Sequence, residues 1–331
     1  MTKLLDPYGR TIDYLRISIT DRCNLDCFYC SPFGGRSRLS HTEILTYEEV
    51  ARAVKASVMA GVSKIRITGG EPLHRRGMVR LCRMISDIDG IESLAVTTNG
   101  IFLKELAGLL LEAGVQRINV SLDTLKPGRF KKITGADLLY RVLEGIEVSE
   151  KVGLNPIKIN TVVMRGINDD EIKDFVELTL KKPYHIRFIE LMPTQGYTMG
   201  NYQSLFVPMS EMFDHVKMIG NLQLETKTES FGPAIHCSFP EAPGKVGFIA
   251  PMSRHFCVTC NRLRLTADGK LRTCLFSEDE IDIKESLRKG ASMKDLSLIF
   301  KQAIREKPES HHFNGVILSS TFGRPMRAIG G

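Results

Sequence analysis

Residues 64–72 read Lys-Ile-Arg-Ile-Thr-Gly-Gly-Glu-Pro, and the first five of them decide the fold. Ile65 and Ile67 alternate with Arg66 and Thr68 before the glycines stop the run. Successive side chains on a strand point to opposite faces. A strand buried on both faces would instead read as a continuous apolar run. The same alternation recurs on either side. Leu15, Ile17 and Ile19 alternate with Arg16, Ser18 and Thr20; Ile118, Val120 and Leu122 with Arg117, Asn119, Ser121 and Asp123; Ile157 and Ile159 with Lys158 and Asn160. Six such β-rich runs are expected, at Leu15–Thr20, Lys64–Thr68, Leu94–Asn99, Arg117–Asp123, Ile157–Val163 and His185–Leu191. The last alternates less cleanly, so its register is open. Helical patterns intervene at Glu48–Met59, Leu103–Ala113 and Glu171–Leu180. Val50, Val54 and Val58 share one face of the first, and Thr46 with Glu49 forms a capping box at its start. Helical linkers favour parallel pairing, and six units fall short of the eight that close a barrel. The expected fold is therefore α/β: an incomplete (β/α)6, three-quarter TIM-like barrel with a C-terminal α+β extension. Its interior face is polar and basic, suited to water or a large anion. An antiparallel sheet with one wet face is the alternative.

The texture changes near residue 218, which divides the chain into a partial barrel at 1–217 and a C-terminal region at 218–331 that closes it. Short strand-like runs follow at Asn221–Lys227, Ala234–Phe239 and Lys245–Ala250, with a hairpin over Arg262–Cys274 turning at Asp268-Gly269. Helices are expected near Glu280–Arg288 and Met293–Arg305, and Ser310–Gly331 has little periodicity. The composition, 43% hydrophobic and 25% charged over 331 residues, is that of a globular protein able to bury a core without disulfides. No apolar run is long enough to span a bilayer, and the first residues lack a signal-peptide pattern. The expected location is the cytoplasm, with no membrane partner. The net charge of +7 is not gathered into a basic tail, so no nucleic-acid partner is expected.

Six of the eight cysteines fall into two groups, leaving Cys82 and Cys237 as ordinary buried thiols. Cys23, Cys27 and Cys30 are spaced C-x3-C-x2-C on the loop after the first strand. Three thiolates can hold a cubane iron–sulfur cluster that four would saturate. The remaining iron keeps an open position, as catalytic metals do. Cys257, Cys260 and Cys274 make a second trio. A zinc site completed by His255 is the alternative there, although zinc ribbons carry two cysteine pairs. Arg262 and Arg264 lie between these cysteines, on one face if the segment is a strand, and paired guanidiniums suit phosphates.

The first cysteine trio, with Tyr29 before its last member, resembles the signature of the radical S-adenosylmethionine superfamily. Over essentially the whole chain, TDRCNLDCFYC, IRITGGEP, TTNG, RINVSLD, IKIN, RFIELM, CNRLRLT and the terminal Gly-Gly resemble the GTP 3′,8-cyclase family. Ser31-Pro32 departs from the family's usual Met-Pro. The resemblance implies two 4Fe-4S clusters on the two trios and a 5′-deoxyadenosyl radical drawn from S-adenosylmethionine. It implies a lyase that converts GTP to 3′,8-cyclo-7,8-dihydro-GTP in molybdenum cofactor synthesis, with the guanine held by the second cluster. Tyr29, Gly70, Ser121 and Met192 are the implied S-adenosylmethionine contacts. Arg16, Arg66, Thr97, Lys158, Arg187, Arg262 and Arg264 are the implied GTP contacts. Catalytic parts fall to Arg262, Arg264 and the tail residues Gly330 and Gly331. A homodimer, a flavodoxin-type electron donor and a cyclic pyranopterin monophosphate synthase acting on the product are the implied partners. Two other classes stay open: a radical enzyme modifying a peptide, and a non-catalytic metal-binding module.

Overall fold

The computed structural model describes residues 4–30, 39–193, 199–225, 232–311, 324 and 326–330. Alternating strands and helices do form where the sequence alternates. The strands are β1 (Tyr14–Ser18), β2 (Lys64–Thr68), β3 (Ser93–Thr98), β4 (Arg117–Ser121), β5 (Lys158–Val163) and β6 (His185–Glu190). Each pairs in parallel with the next. The C-terminal region adds β7 (Gln223–Leu224), β8 (Ile235–Ser238), β9 (Lys245–Ile249), β10 (Arg262–Leu265), β11 (Lys270–Arg272) and β12 (Ile281–Asp282). These build no sheet of their own. All lie in one twelve-stranded sheet of order β12-β11-β10-β1-β2-β3-β4-β5-β6-β9-β8-β7. β10 joins β1 and β9 joins β6, both parallel, so the extension lengthens the parallel run at each side. Among the described residues the outermost strands do not pair with each other, and the barrel stays open.

The apolar alternates pack outward under the helices. Leu15, Ile17, Ile65, Ile67, Val96, Ile118, Val120, Ile186, Phe188, Leu263 and Leu265 are fully buried in one cluster with the helical faces. The helix Tyr47–Met59 shows how the sequence specifies its share. Thr46 accepts from the Glu49 amide at 3.1 Å, and Glu49 accepts from the Thr46 amide at 2.8 Å. Val50, Val54 and Val58 are then buried, the first two in the same cluster as the strands. Each such valine stabilises the fold by about 1.5–3 kcal/mol of removed apolar surface.

Two segments depart from expectation. Glu280–Arg288 is not one helix: Ile281–Asp282 forms β12 against β11, and the helix starts only at Lys284. Lys270 pairs with Asp282 across that edge at 2.5 Å, an interaction invisible to helical periodicity. Near the C-terminus a short helix, Met326–Ile329, forms where no periodicity signals one. Its anchor is Arg324, which donates to Asp268 at 2.9 Å and to Glu280 at 2.8 Å.

Candidate active site

The polar alternates meet inside the open barrel. The ladder sets them in rows. Arg264, Arg16 and Arg66 stand side by side on β10, β1 and β2. On the far wall Asn160 stands beside Arg187, which stands beside Gly247, with His236 next in line. Lys158 stands beside His185. The cleaner register of β6 thus comes from its neighbours, since its own sequence alternates poorly. Like charges set directly opposite one another destabilise a sheet, a cost that an anion bound against the arginine row would reduce.

Arg264, Arg16, Arg66, Asn160, Arg187 and Lys158 of these rows line one cavity of about 360 Å³, within the range of ligand-binding sites. Cys23, Cys27 and Cys30 line it, as do Cys257, Cys260 and Cys274. So do Tyr29, Gly70, Ser121 and Met192, together with Arg16, Arg66, Thr97, Lys158, Arg187, Arg262 and Arg264. Of the site residues read from sequence, Gly330 alone among the described ones is not a wall residue, but its carbonyl accepts from the Arg264 guanidinium. Gly331 lies outside the described residues, as does Ser31-Pro32. Several wall residues were not nominated: Lys64, Arg117, Asn160, Asp123 and Arg327. The signal for the first three was the alternation itself: each lies two or four positions along its strand from a residue that was chosen.

Burial sets the electrostatics. Lys158 is brought down to about 7, by desolvation first and then by Arg187 and Arg117. Desolvation also lowers Arg187 and Arg264 to about 10 each, with Arg66 and Arg262 respectively adding repulsion. Buried polar atoms here want partners. Arg66 Nε, Arg187 Nε, Thr97 Oγ1 and Asn160 Oδ1 have no hydrogen-bond partner among the described residues. A cavity so rich in cations and unsatisfied donors fits a polyanion, because each group left unpaired costs about 1–3 kcal/mol.

The first cysteine loop is held by the two glycines and by Glu71. Gly70 N–H donates to Thr20 O at 2.7 Å and Glu71 N–H to Arg22 O at 2.8 Å. Glu71 does not line the cavity, and its carboxylate accepts from Thr98 Oγ1 and Asn99 N–H, both at 2.7 Å. Asn99 in turn donates to Asn24 Oδ1 at 2.8 Å. GGEP and TTNG therefore brace the loop that carries Cys23. Tyr29 donates to Asp123 Oδ2 at 2.7 Å, and burial pushes the Asp123 carboxyl up to about 6. Burial also raises all three thiols of this trio, Cys30 to about 12. Thiolates are costly there unless a metal cation compensates them, which is the donor chemistry of an iron-bound trio.

The second trio differs. Burial alone would raise the Cys260 thiol, but Arg262 and Lys307 outweigh it and bring it to about 6. Glu190, at the end of β6, fixes the approach to this loop by accepting from Met252 N–H at 2.9 Å and Ser253 N–H at 3.0 Å. His255 is exposed, does not line the cavity, and engages Pro251 O and His311 through Nδ1. Among the described residues no three Cys, His, Asp or Glu side chains gather tightly enough for a single metal ion. The donors this loop brings to the cavity are therefore the three thiols, without His255.

The tail links the first trio to β10. The Arg327 backbone N–H donates to the Cys30 thiol, and three residues further along the chain Gly330 O accepts from the Arg264 guanidinium. Gly330 has φ +74°, and a Cβ there would strike Thr68 Oγ1.

Comparison with known proteins adds to this geometry. The family model of the Radical SAM superfamily matches residues 17–179, and that of Molybdenum Cofactor Synthesis C matches residues 184–313. A GTP 3′,8-cyclase of Pelotomaculum thermopropionicum is 47% identical over 311 residues, covering 93% of this chain and 94% of its own. One from Thermodesulfovibrio yellowstonii is 47% identical over 98% of this chain and 99% of its own. Among solved structures, Streptococcus suis SuiB bound to S-adenosylmethionine superposes with a TM-score of 0.61 over 94% of this chain and 79% of its own. At 14% identity that likeness concerns the fold alone.

Proposed function

The chain belongs to the GTP 3′,8-cyclase family, and from that premise we propose how its residues divide the work. The enzyme is a lyase of molybdenum cofactor synthesis that takes GTP, S-adenosylmethionine and two 4Fe-4S clusters. We assign the amino-terminal cluster to Cys23, Cys27 and Cys30 and the second to Cys257, Cys260 and Cys274. When bound, these groups supply the electron and the 5′-deoxyadenosyl radical that the reaction consumes. Everything else is the chain's task. Tyr29, Gly70, Ser121 and Met192 cradle S-adenosylmethionine, with Gly70 offering backbone close to the ligand. The Arg264–Arg16–Arg66 row, with Arg262, Thr97, Lys158 and Arg187, anchors GTP. The reaction joins ribose C3′ to guanine C8, so phosphates gripped at one end fix those atoms for attack at the other. The observation that carries this assignment is the arginine row, set in register, lining the same cavity as both cysteine trios.

We extend the reading to the partners and the place of action. Residues 218–331 act as the part that brings the second cluster to a barrel made by 1–217. All eight cysteines are free of disulfides, in keeping with a reducing cytoplasm. A homodimer, a flavodoxin-type electron donor and a cyclic pyranopterin monophosphate synthase taking the product are family expectations.

Two results are expected. Lys158 carries its charge below about pH 7 and loses it above, because its folded value is depressed to about 7. The kcat/KM for GTP should therefore fall as pH rises through that value. Lys158→Arg, which does not titrate there, should remove that limb. An unchanged limb in the variant would assign it to another group. Removing Gly330-Gly331 should spare folding and iron content while abolishing turnover, read as product formed per chain. Full turnover would make the tail a frayed end.

A further inference from the structure

Lys307 is 3% exposed, yet among the described residues no carboxylate pairs with it. Its ammonium donates to two backbone carbonyls, Arg262 O at 2.9 Å and Thr273 O at 2.5 Å. Those carbonyls flank the second trio: Arg262 follows Cys260 by two residues, and Thr273 immediately precedes Cys274. The groups of opposite sign that act on Lys307 are the Cys260 and Cys274 thiols. Two basic neighbours, Arg10 and Arg262, oppose its charge, and each is engaged elsewhere, Arg262 against Cys260 Sγ at 3.6 Å. Arg10 pairs with Asp6 at 2.6 Å and donates to Cys257 O at 2.7 Å. A buried ammonium with only carbonyls for company is costly, so such a group is normally paired.

We infer that Lys307 is a positioning residue for the second cluster: it clamps together the segments that carry Cys260 and Cys274 and is, beside Arg262, a standing counter-charge to the cluster they hold. The inference rests on reading Cys257, Cys260 and Cys274 as cluster ligands. A cubane held by three thiolates is anionic, and one-electron reduction makes it more so. A fixed cation beside it favours the reduced form, and local charge and hydrogen bonds are what set such potentials. Removing the charge should therefore move the potential in the negative direction.

The test uses the full-length chain, reconstituted anaerobically with iron and sulfide, as wild type, Lys307→Gln, Lys307→Met and Lys307→Arg. Iron and sulfide per chain are measured, and each cluster's midpoint potential is read by redox titration followed by electron paramagnetic resonance. Added S-adenosylmethionine marks the amino-terminal signal. Gln keeps a donor for the carbonyls but not the charge. Its chain should hold wild-type iron, with only the carboxyl-terminal cluster shifted to a more negative potential. Met loses clamp and charge, so it should also lose part of that cluster's iron, and Arg should restore the wild-type potential. Unchanged potentials in the Gln and Met chains would overturn the inference, as would equal shifts in both clusters or a general failure of the Gln chain to fold. A wild-type chain with only one cluster's iron would defeat the underlying ligand assignment instead.

Discussion

Arg264→Ala is expected to leave both clusters assembled and to abolish GTP-dependent release of 5′-deoxyadenosine. Arg264 stands beside Arg16 in the cation row, is 7% exposed, and holds the tail through Gly330 O. A buried anion deprived of one partner loses about 3 kcal/mol or more, so kcat/KM for GTP should fall by at least about two orders of magnitude. Arg262→Ala should behave alike, because its guanidinium lies two residues away on the same face, against Cys260 Sγ at 3.6 Å. Iron content per chain and 5′-deoxyadenosine, measured with and without GTP, check both variants. Normal turnover in either would remove that arginine from the substrate site.

Gly70→Ala should be as damaging by a different route. A Cβ at Gly70 would fall onto the Arg22 carbonyl, which is backbone and cannot swing aside. That same carbonyl accepts from Glu71 N–H, so the GGEP turn and the first cysteine loop would have to separate. The expected outcome is loss of the amino-terminal cluster's iron and of S-adenosylmethionine cleavage, while the carboxyl-terminal cluster is retained. Iron analysis with electron paramagnetic resonance of the reduced chain distinguishes the two clusters. Retention of both, with cleavage intact, would show that the loop tolerates the displacement.

The parallel barrel was legible because period-two alternation leaves Ile65 and Ile67 on one face and Arg66 on the other, and helical linkers set the strand direction. The cysteine spacings marked both trios. The joining of β9 and β10 to the barrel was not legible. Pairing between Arg16 and Arg264 spans most of the chain, and no local pattern encodes it. β12 was misread as helix because a two-residue strand has no periodicity to show. Lys64 and Arg117 were visible as polar alternates but gained significance only when the register put them on the cavity wall. Lys307 gave no signal at all, since it follows the helix Met293–Arg305 among ordinary charged residues.

The arginine row makes sense only if both cysteine trios hold iron–sulfur cubanes across it. Metal and sulfide analysis of the oxygen-protected, reconstituted chain tests that most directly. Two clusters correspond to about eight irons and about eight sulfides per chain, without zinc. About four irons accompanied by one zinc would put a structural metal on Cys257, Cys260 and Cys274 and contradict the two-cluster site.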